Sequence, residues 1–254
     1  MCRREPLRIV GEERDHSDVG YRKDDEGKDI NPTVVNVFQA DDRYYVPGYY
    51  LGNNIPVRNN YYFAGWNTDP DGNGTHYNKD GEILVSGATN LYAEWDLMVP
   101  SEGELTVTLP EGKSYFNIYD AGGKDTPYGN NYSGKLVLKA PDEESIIYLT
   151  GTIATEALGA GGQKHDYLIV RDGGLNGTMM SNDQSTYVDG FGPVFVSATD
   201  GTEKNIGRLL STNDEITIEF YSDGQNNFKG LKLKATVMSN INQLGLGTKI
   251  IRSR

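Results

Sequence analysis

The strongest constraint on this chain lies late in it. Ile216, Ile218 and Phe220 alternate there with Thr217, Glu219 and Tyr221, and Leu231, Leu233 and Ala235 alternate with Lys232, Lys234 and Thr236. A period of two belongs to a strand, whose successive side chains point to opposite faces, and it gives no continuous apolar stripe on a helix. Both segments are therefore expected to bury one face and leave the other wet. Short segments of the same kind recur at 105–109, 115–119, 135–139, 145–149, 167–170 and 194–197, separated by Gly, Asn and Asp turns. Eight or so such strands predict a β-sandwich. Thirty-one glycines, ten prolines and seventeen tyrosines suit many short strands joined by tight turns, and do not suit a helix bundle.

At 254 residues the chain suits two modest domains. Residues 1–32 are dense in charge, as in Glu12-Glu13-Arg14-Asp15 and Arg22-Lys23-Asp24-Asp25-Glu26, and are expected to be mostly disordered. A first domain is predicted over 33–97, opening with a hairpin around Asp41-Asp42 and continuing through strands at 61–67 and 91–95. Val99-Pro100-Ser101 marks the boundary, the sandwich follows over 102–237, and 238–254 is a tail with too few apolar residues for a domain.

The formal net charge of -12, with no Lys/Arg cluster interleaved with aromatics, excludes nucleic acid as a natural partner. It also supplies carboxylates for divalent cations. Cys2 is the single cysteine, so no disulfide forms within the chain, and His16, His76 and His165 show no zinc-ligand spacing, which excludes zinc chemistry at this level of reading. No apolar run is long enough to span a bilayer, so membrane insertion is not expected. Met1-Cys2-Arg3-Arg4-Glu5-Pro6 lacks the apolar core of a signal peptide.

Tyr62-Phe63-Ala64-Gly65-Trp66-Asn67-Thr68, then Asp71-Gly72-Asn73-Gly74-Thr75, then Leu91-Tyr92-Ala93-Glu94-Trp95 resembles the internalin B-repeat, or Listeria-Bacteroides repeat, of bacterial surface proteins. The resemblance covers about 33–96 and implies a small β-grasp-like domain on an extracellular protein, cell-surface or secreted. The chain is then expected to be a fragment of a longer exported protein or one whose leader is missing. Asp69 to Gly74, with Asp80 eleven positions after Asp69, also matches half of an EF-hand loop. Flanking strands and Pro70 favour a structural turn. Trp66 and Trp95 are read as core residues, with sugar stacking the other option.

A second resemblance spans the sandwich. Ile118-Tyr119-Asp120 with Gly122-Gly123, Tyr128-Gly129-Asn130-Asn131, Thr155-Glu156, Asp166-Tyr167-Leu168-Ile169-Val170-Arg171-Asp172-Gly173, and Phe220-Tyr221-Ser222-Asp223-Gly224 with Gly230-Leu231 follow the order of a CUB or CUB-like domain, a jelly-roll type β-sandwich. In calcium-binding members, the positions matching Glu156, Asp166 and Asp223 hold the ion. Asn226 and Tyr128 are candidate supplements. Calcium takes six to eight hard oxygens, a demand that three carboxylates, carbonyls and water can meet. The alternative is that Asp166 and Asp223 cap turns through local amides. This chain departs from the family in lacking its disulfides and in the glycine-rich insertion Ala157–Lys164, which separates Glu156 from Asp166.

The long segment 176–207 carries Tyr187, Phe191 and Phe195, candidates for ligand binding if they face solvent and core residues if they do not. Gly159-Ala160-Gly161-Gly162 and Gly245-Leu246-Gly247 lack the strand-to-helix context of a phosphate cradle. No histidine sits in a nucleophile set, so no enzyme is expected. The reading is a non-enzymatic adhesion or interaction module, binding protein or glycan through CUB-like loops with calcium assistance. It is a monomer or part of a larger multidomain chain. The alternative is an accessory targeting region of a larger secreted hydrolase.

Overall fold

The computed structural model describes residues 56–70, 72–78, 91–111 and 115–238. It also gives the backbone of short strands at 6–9, 22–23, 29–30, 38–40, 43–46, 83–85 and 89–90, and of residue 239. Asp71, Asp80 and the tail beyond residue 239 lie outside the described residues. The chain divides into two compact units, Met1–Asp96 and Leu97–Arg254.

In the first unit Phe38–Ala40 and Arg43–Val46 pair antiparallel, the hairpin expected around Asp41-Asp42, and Ile83–Val85 adds a third strand. Tyr61–Asn67 pairs with His76–Tyr77. Trp66, 6% exposed, meets the Phe63 ring edge-on at 5.1 Å, and Trp95 does so at 5.6 Å. Trp66 thus packs as core, and the half-buried Trp95 packs beside it on Phe63. Between the paired strands, the buried Asn67 side chain accepts from the Asp69 and Gly74 amides at 2.9 and 3.0 Å and donates to Glu94 at 3.1 Å. That is a turn built around an asparagine. Residues 1–32, expected to be disordered, carry three short strands, one of which, Pro6–Ile9, pairs with Thr89 to Tyr92. Leu7 and Ile9 give that segment the apolar, β-branched content that the charged runs beside it lack.

The second unit is a mainly β sandwich built on seven longer strands: β1 (Glu104–Thr108), β2 (Phe116–Tyr119), β3 (Ser133–Lys139), β4 (Ser145–Ala154), β5 (Tyr167–Asp172), β6 (Glu215–Tyr221) and β7 (Gly230–Ser239). One sheet runs β1-β3-β6-β5 with Thr178–Met179 at its edge. β1 is parallel to β3 and the other pairs are antiparallel. In the other sheet β4 and β7 pair antiparallel over ten residues. β2 lies on the far side of β7, and Leu97 and Met98 run parallel to Ile118 and Tyr119.

Ile216, Ile218, Phe220, Leu231 and Ala235 are fully buried between the sheets, and Leu233 is nearly so. Each of the isoleucine, leucine and phenylalanine side chains contributes about 1.5 to 3 kcal/mol on burial. The wet face expected of β7 is present at Lys232 and Lys234, but that expected of β6 is not: Thr217 is 0% exposed and Glu219 2%. A second layer covers it. Ile169, Val194 and Val196 cluster there with Tyr167, Phe191 and Tyr221, and Glu219 is paired with Arg171 and accepts from the Tyr221 hydroxyl at 2.8 Å.

Asp120, at the end of β2, is fully buried and accepts from the Leu231 and Gly122 amides at 2.7 and 2.8 Å. Gly230 makes the first of these possible. A Cβ there would stand 1.9 Å from the Asp120 carboxylate, and its φ of +71° is one that side chains disfavour. Burial outweighs the amide donors and pushes the Asp120 carboxyl up to about 6.

Candidate functional site

Strand register creates the site. Tyr167 opens β5 opposite Tyr221 at the close of β6, so the residues just outside both strands meet at one end of that sheet. Asp166 lies before β5 and Asp223 after β6, and the Asp223 amide donates to Asp166 Oδ1 at 2.8 Å. Glu156 comes from the other sheet, two residues beyond β4. Its neighbour Thr155 is locked to Ser197 in both directions at 2.9 and 3.0 Å. The pole therefore draws its acids from both sheets.

The Asp166 side chain is fully buried. The Tyr128 hydroxyl donates to its Oδ2 at 2.5 Å, and the Tyr128 ring meets Phe220 edge-on at 5.1 Å. Burial raises the Asp166 carboxyl above the usual range, its hydrogen bonds oppose that, and the negative charge of Asp223 and Glu156 adds to it. Asp223 Oδ1 accepts from the Gln225 amide at 2.9 Å, closing a local turn, and its Oδ2 faces His165 Nδ1 at 3.0 Å. That hydrogen bond lowers the Asp223 carboxyl and raises the His165 imidazole. Asn226, with φ of +59°, donates its amide to Glu156 Oε1 at 3.1 Å. The turn is tied further by Asn130, which donates to the Gly224 carbonyl at 2.8 Å and accepts from Asn227 at 2.6 Å.

One oxygen stands apart. Glu156 is 9% exposed, and its Oε2 is buried with no hydrogen-bond partner. A buried carboxylate oxygen left unpaired costs on the order of 1 to 3 kcal/mol, more when charged. One donor atom each from Glu156, His165 and Asp223 lie within 4.8 Å of one another, forming an acidic and histidine group of metal-binding composition. Of the expected ligands, Glu156 and Asp223 belong to that group; Asn226 is tied to it through Glu156 Oε1, while Asp166 lies outside it, both its oxygens taken by Tyr128 and the Asp223 amide. These residues fit a small divalent cation: hard oxygens in excess, one of them without a partner, on a pole where carboxylates repel one another.

The insertion Ala157–Lys164 does not carry Glu156 away. It folds back on itself, the Gly159 amide donating to the Gln163 carbonyl at 2.8 Å around a short 3-10 turn at Ala160–Gly162. His165 is the participant that sequence reasoning missed. Adjacent residues of an extended strand face opposite ways, but residues 165–166 form a bend before β5, so both side chains reach the same pole. Its position at the entry to a strand, beside an acid, was the available signal.

The three aromatic candidates separate. Phe195 is fully buried and bridges to Leu168 through paired backbone hydrogen bonds at 2.8 and 2.9 Å, so it is a core residue and not a ligand surface. Phe191 packs edge-on to Tyr167 at 5.8 Å, with the Lys164 ammonium 3.2 Å from its ring centroid. Tyr187, 72% exposed on the hairpin of Thr186–Val188 and Gly192–Val194, presents its ring to solvent.

Comparison with known proteins adds the following. Residues 23–94 match the family described as the Listeria-Bacteroides repeat domain, which agrees with the resemblance read at about 33–96. Such repeats occur in bacterial surface proteins. No curated protein matches the chain. Similar solved structures include the full extracellular region of zebrafish Gpr126/Adgrg6, at TM-score 0.35 and 16% identity, covering 54% of this chain and 15% of that one. They also include the CUB1-EGF-CUB2 domains of rat MASP-1, at TM-score 0.36 and 14% identity, covering 54% and 43%. The chain thus spans less than half the length of either. No helix among the described residues is long and apolar enough to cross a membrane.

Proposed function

We propose that this chain is a non-enzymatic interaction module of an extracellular bacterial protein, cell-surface or secreted. The repeat unit serves as a spacer, and the loops of the sandwich bind a protein or glycan. The reading gives the pole at Glu156, Asp166, Asp223 and Asn226 a calcium ion, whose charge would offset the repulsion among the carboxylates. The chain's own residues prepare that role: Tyr128 and the Asp223 amide hold Asp166 in place, and Asn226 fixes one oxygen of Glu156 so that the other is left for a cation. Asn130 and Asn227 tie the neighbouring turn, so ordering the acids also orders an exposed loop.

The unpartnered Oε2 of Glu156 carries this reading, because a carboxylate oxygen brought into a buried pole without a partner is explained by a ligand that the pole is built to receive. The repeat in the first unit supports the surface location. The test is binding of the full chain to arrays of glycans and of purified extracellular matrix proteins, in calcium and in chelator, alongside Tyr187→Ala. The reading expects specific binding that weakens in chelator. Absence of binding on both arrays in calcium refutes it.

A further inference from the structure

We infer that the same pole also takes a first-row transition-metal dication of the zinc, cobalt and manganese class, through His165. This deepens the proposed function and rests on its assignment of a cation to this pole. Calcium prefers oxygen donors and gains little from an imidazole nitrogen, whereas imidazole together with carboxylates suits zinc and its neighbours. The histidine is seated for the purpose. Its Nδ1 edge faces Asp223 at 3.0 Å, and its Nε2 edge lies against Gly159, where an added Cβ would stand 2.7 Å from that nitrogen. A side chain at 159 would push the ring from this place, and the loop's own Gly159–Gln163 hydrogen bond holds the loop there.

Glu156 supplies the second observation. It is more than nine-tenths buried, its Oε2 has no partner, and it shares the pole with the His165 and Asp223 donors inside the 4.8 Å span. Donor atoms about 2.0 to 2.2 Å from a zinc ion stand roughly 3.4 Å from one another in a tetrahedral arrangement. His165 Nδ1 and Asp223 Oδ2, at 3.0 Å, already stand near that separation, and the widest pair, inside 4.8 Å, has to contract by on the order of 1 Å at most, within reach of two partly exposed side chains. Three protein donors of this kind leave a fourth position open to water or to an acidic group of a bound partner. Spacing rules for zinc look for ligands close in sequence; these three lie at 156, 165 and 223.

The experiment is titration of the full chain with zinc chloride and, separately, calcium chloride by calorimetry, on wild type and on His165→Gln. Cobalt(II) absorption and cobalt-shifted imidazole proton resonances of the wild type accompany it. The inference expects one zinc per chain, visible cobalt bands, and one imidazole shifted. It also expects zinc affinity at least tenfold weaker in His165→Gln while calcium binding is unchanged or tighter. Calcium binding without zinc or cobalt binding overturns the inference and leaves the cation reading standing. Equal zinc binding by His165→Gln overturns it by placing the metal elsewhere. If no metal binds, the inference and the cation reading fall together. The shifted imidazole is read on the wild type, so the test survives a variant that folds poorly.

Discussion

Replacing Asp120 by Asn isolates the energetic consequence of burying an acid at the end of β2. Its carboxyl is fully buried against the start of β7, and two backbone amides donate to it without offsetting the desolvation. Because the folded value lies above the unfolded one, the native state binds the extra proton. The stability this confers is full below about pH 4 and disappears as pH rises through about 6. A group titrating near 3.8 unfolded and about 6 folded accounts for about 3 kcal/mol across that window, at about 1.36 kcal/mol per pH unit. Asn cannot ionise, but it replaces one acceptor by a donor facing an amide, which costs about 1 to 3 kcal/mol at every pH.

Urea unfolding followed by circular dichroism, wild type against Asp120→Asn from pH 4 to 7.5, reads the difference directly and cancels the other titrating groups. Wild type is expected to be the more stable at pH 4. From pH 4 its advantage should fall by about 2.4 kcal/mol by pH 7.5, to parity or reversal. A difference that stays constant over that range refutes the reasoning.

Other perturbations test the rest of the architecture. Arg171→Ala leaves Glu219 buried without its guanidinium partner and should destabilise the sandwich by about 3 to 5 kcal/mol. Arg171→Met with Glu219→Gln should recover most of that loss in the same urea assay. Asn67→Ala removes two amide acceptances and the bond to Glu94 and should cost the first unit about 1 to 3 kcal/mol. Both tryptophans of the chain, Trp66 and Trp95, lie in that unit. Indole fluorescence should therefore report the loss while the sandwich transition stays where it was.

Much of the sandwich was legible because period-two polarity needs only local sequence. The alternation at 231–237 appears as buried Leu231, Leu233 and Ala235 against wetter Lys232 and Lys234. The same rule misread β6, since polarity alone cannot show that Glu219 has Arg171 as a partner or that residues around Val194 and Val196 fold over it. The cover lies far away in the chain, where no periodicity reaches. The acids of the pole were legible from their places beside strand ends, through the CUB-like motifs. His165 was not, because adjacency in an extended chain implies opposite faces and a bend cancels that implication. The aromatic segment 176–207 could not be divided from sequence, as Phe195 and Tyr187 differ only in what packs on them.

The most direct test of the cation-organised pole is a thermal melt of the full chain, with about 2 mM calcium against excess chelator, on wild type and Glu156→Gln. A ligand at about 100 times its dissociation constant adds about 2.7 kcal/mol to the state that binds it. For a unit of this size that is a rise of about 5 to 10 °C. The account predicts that rise in the sandwich transition of wild type alone. The tryptophan-reported transition of the first unit should not move, and Glu156→Gln in calcium should match its own value in chelator. An unmoved sandwich transition, or an equal rise in Glu156→Gln, contradicts it.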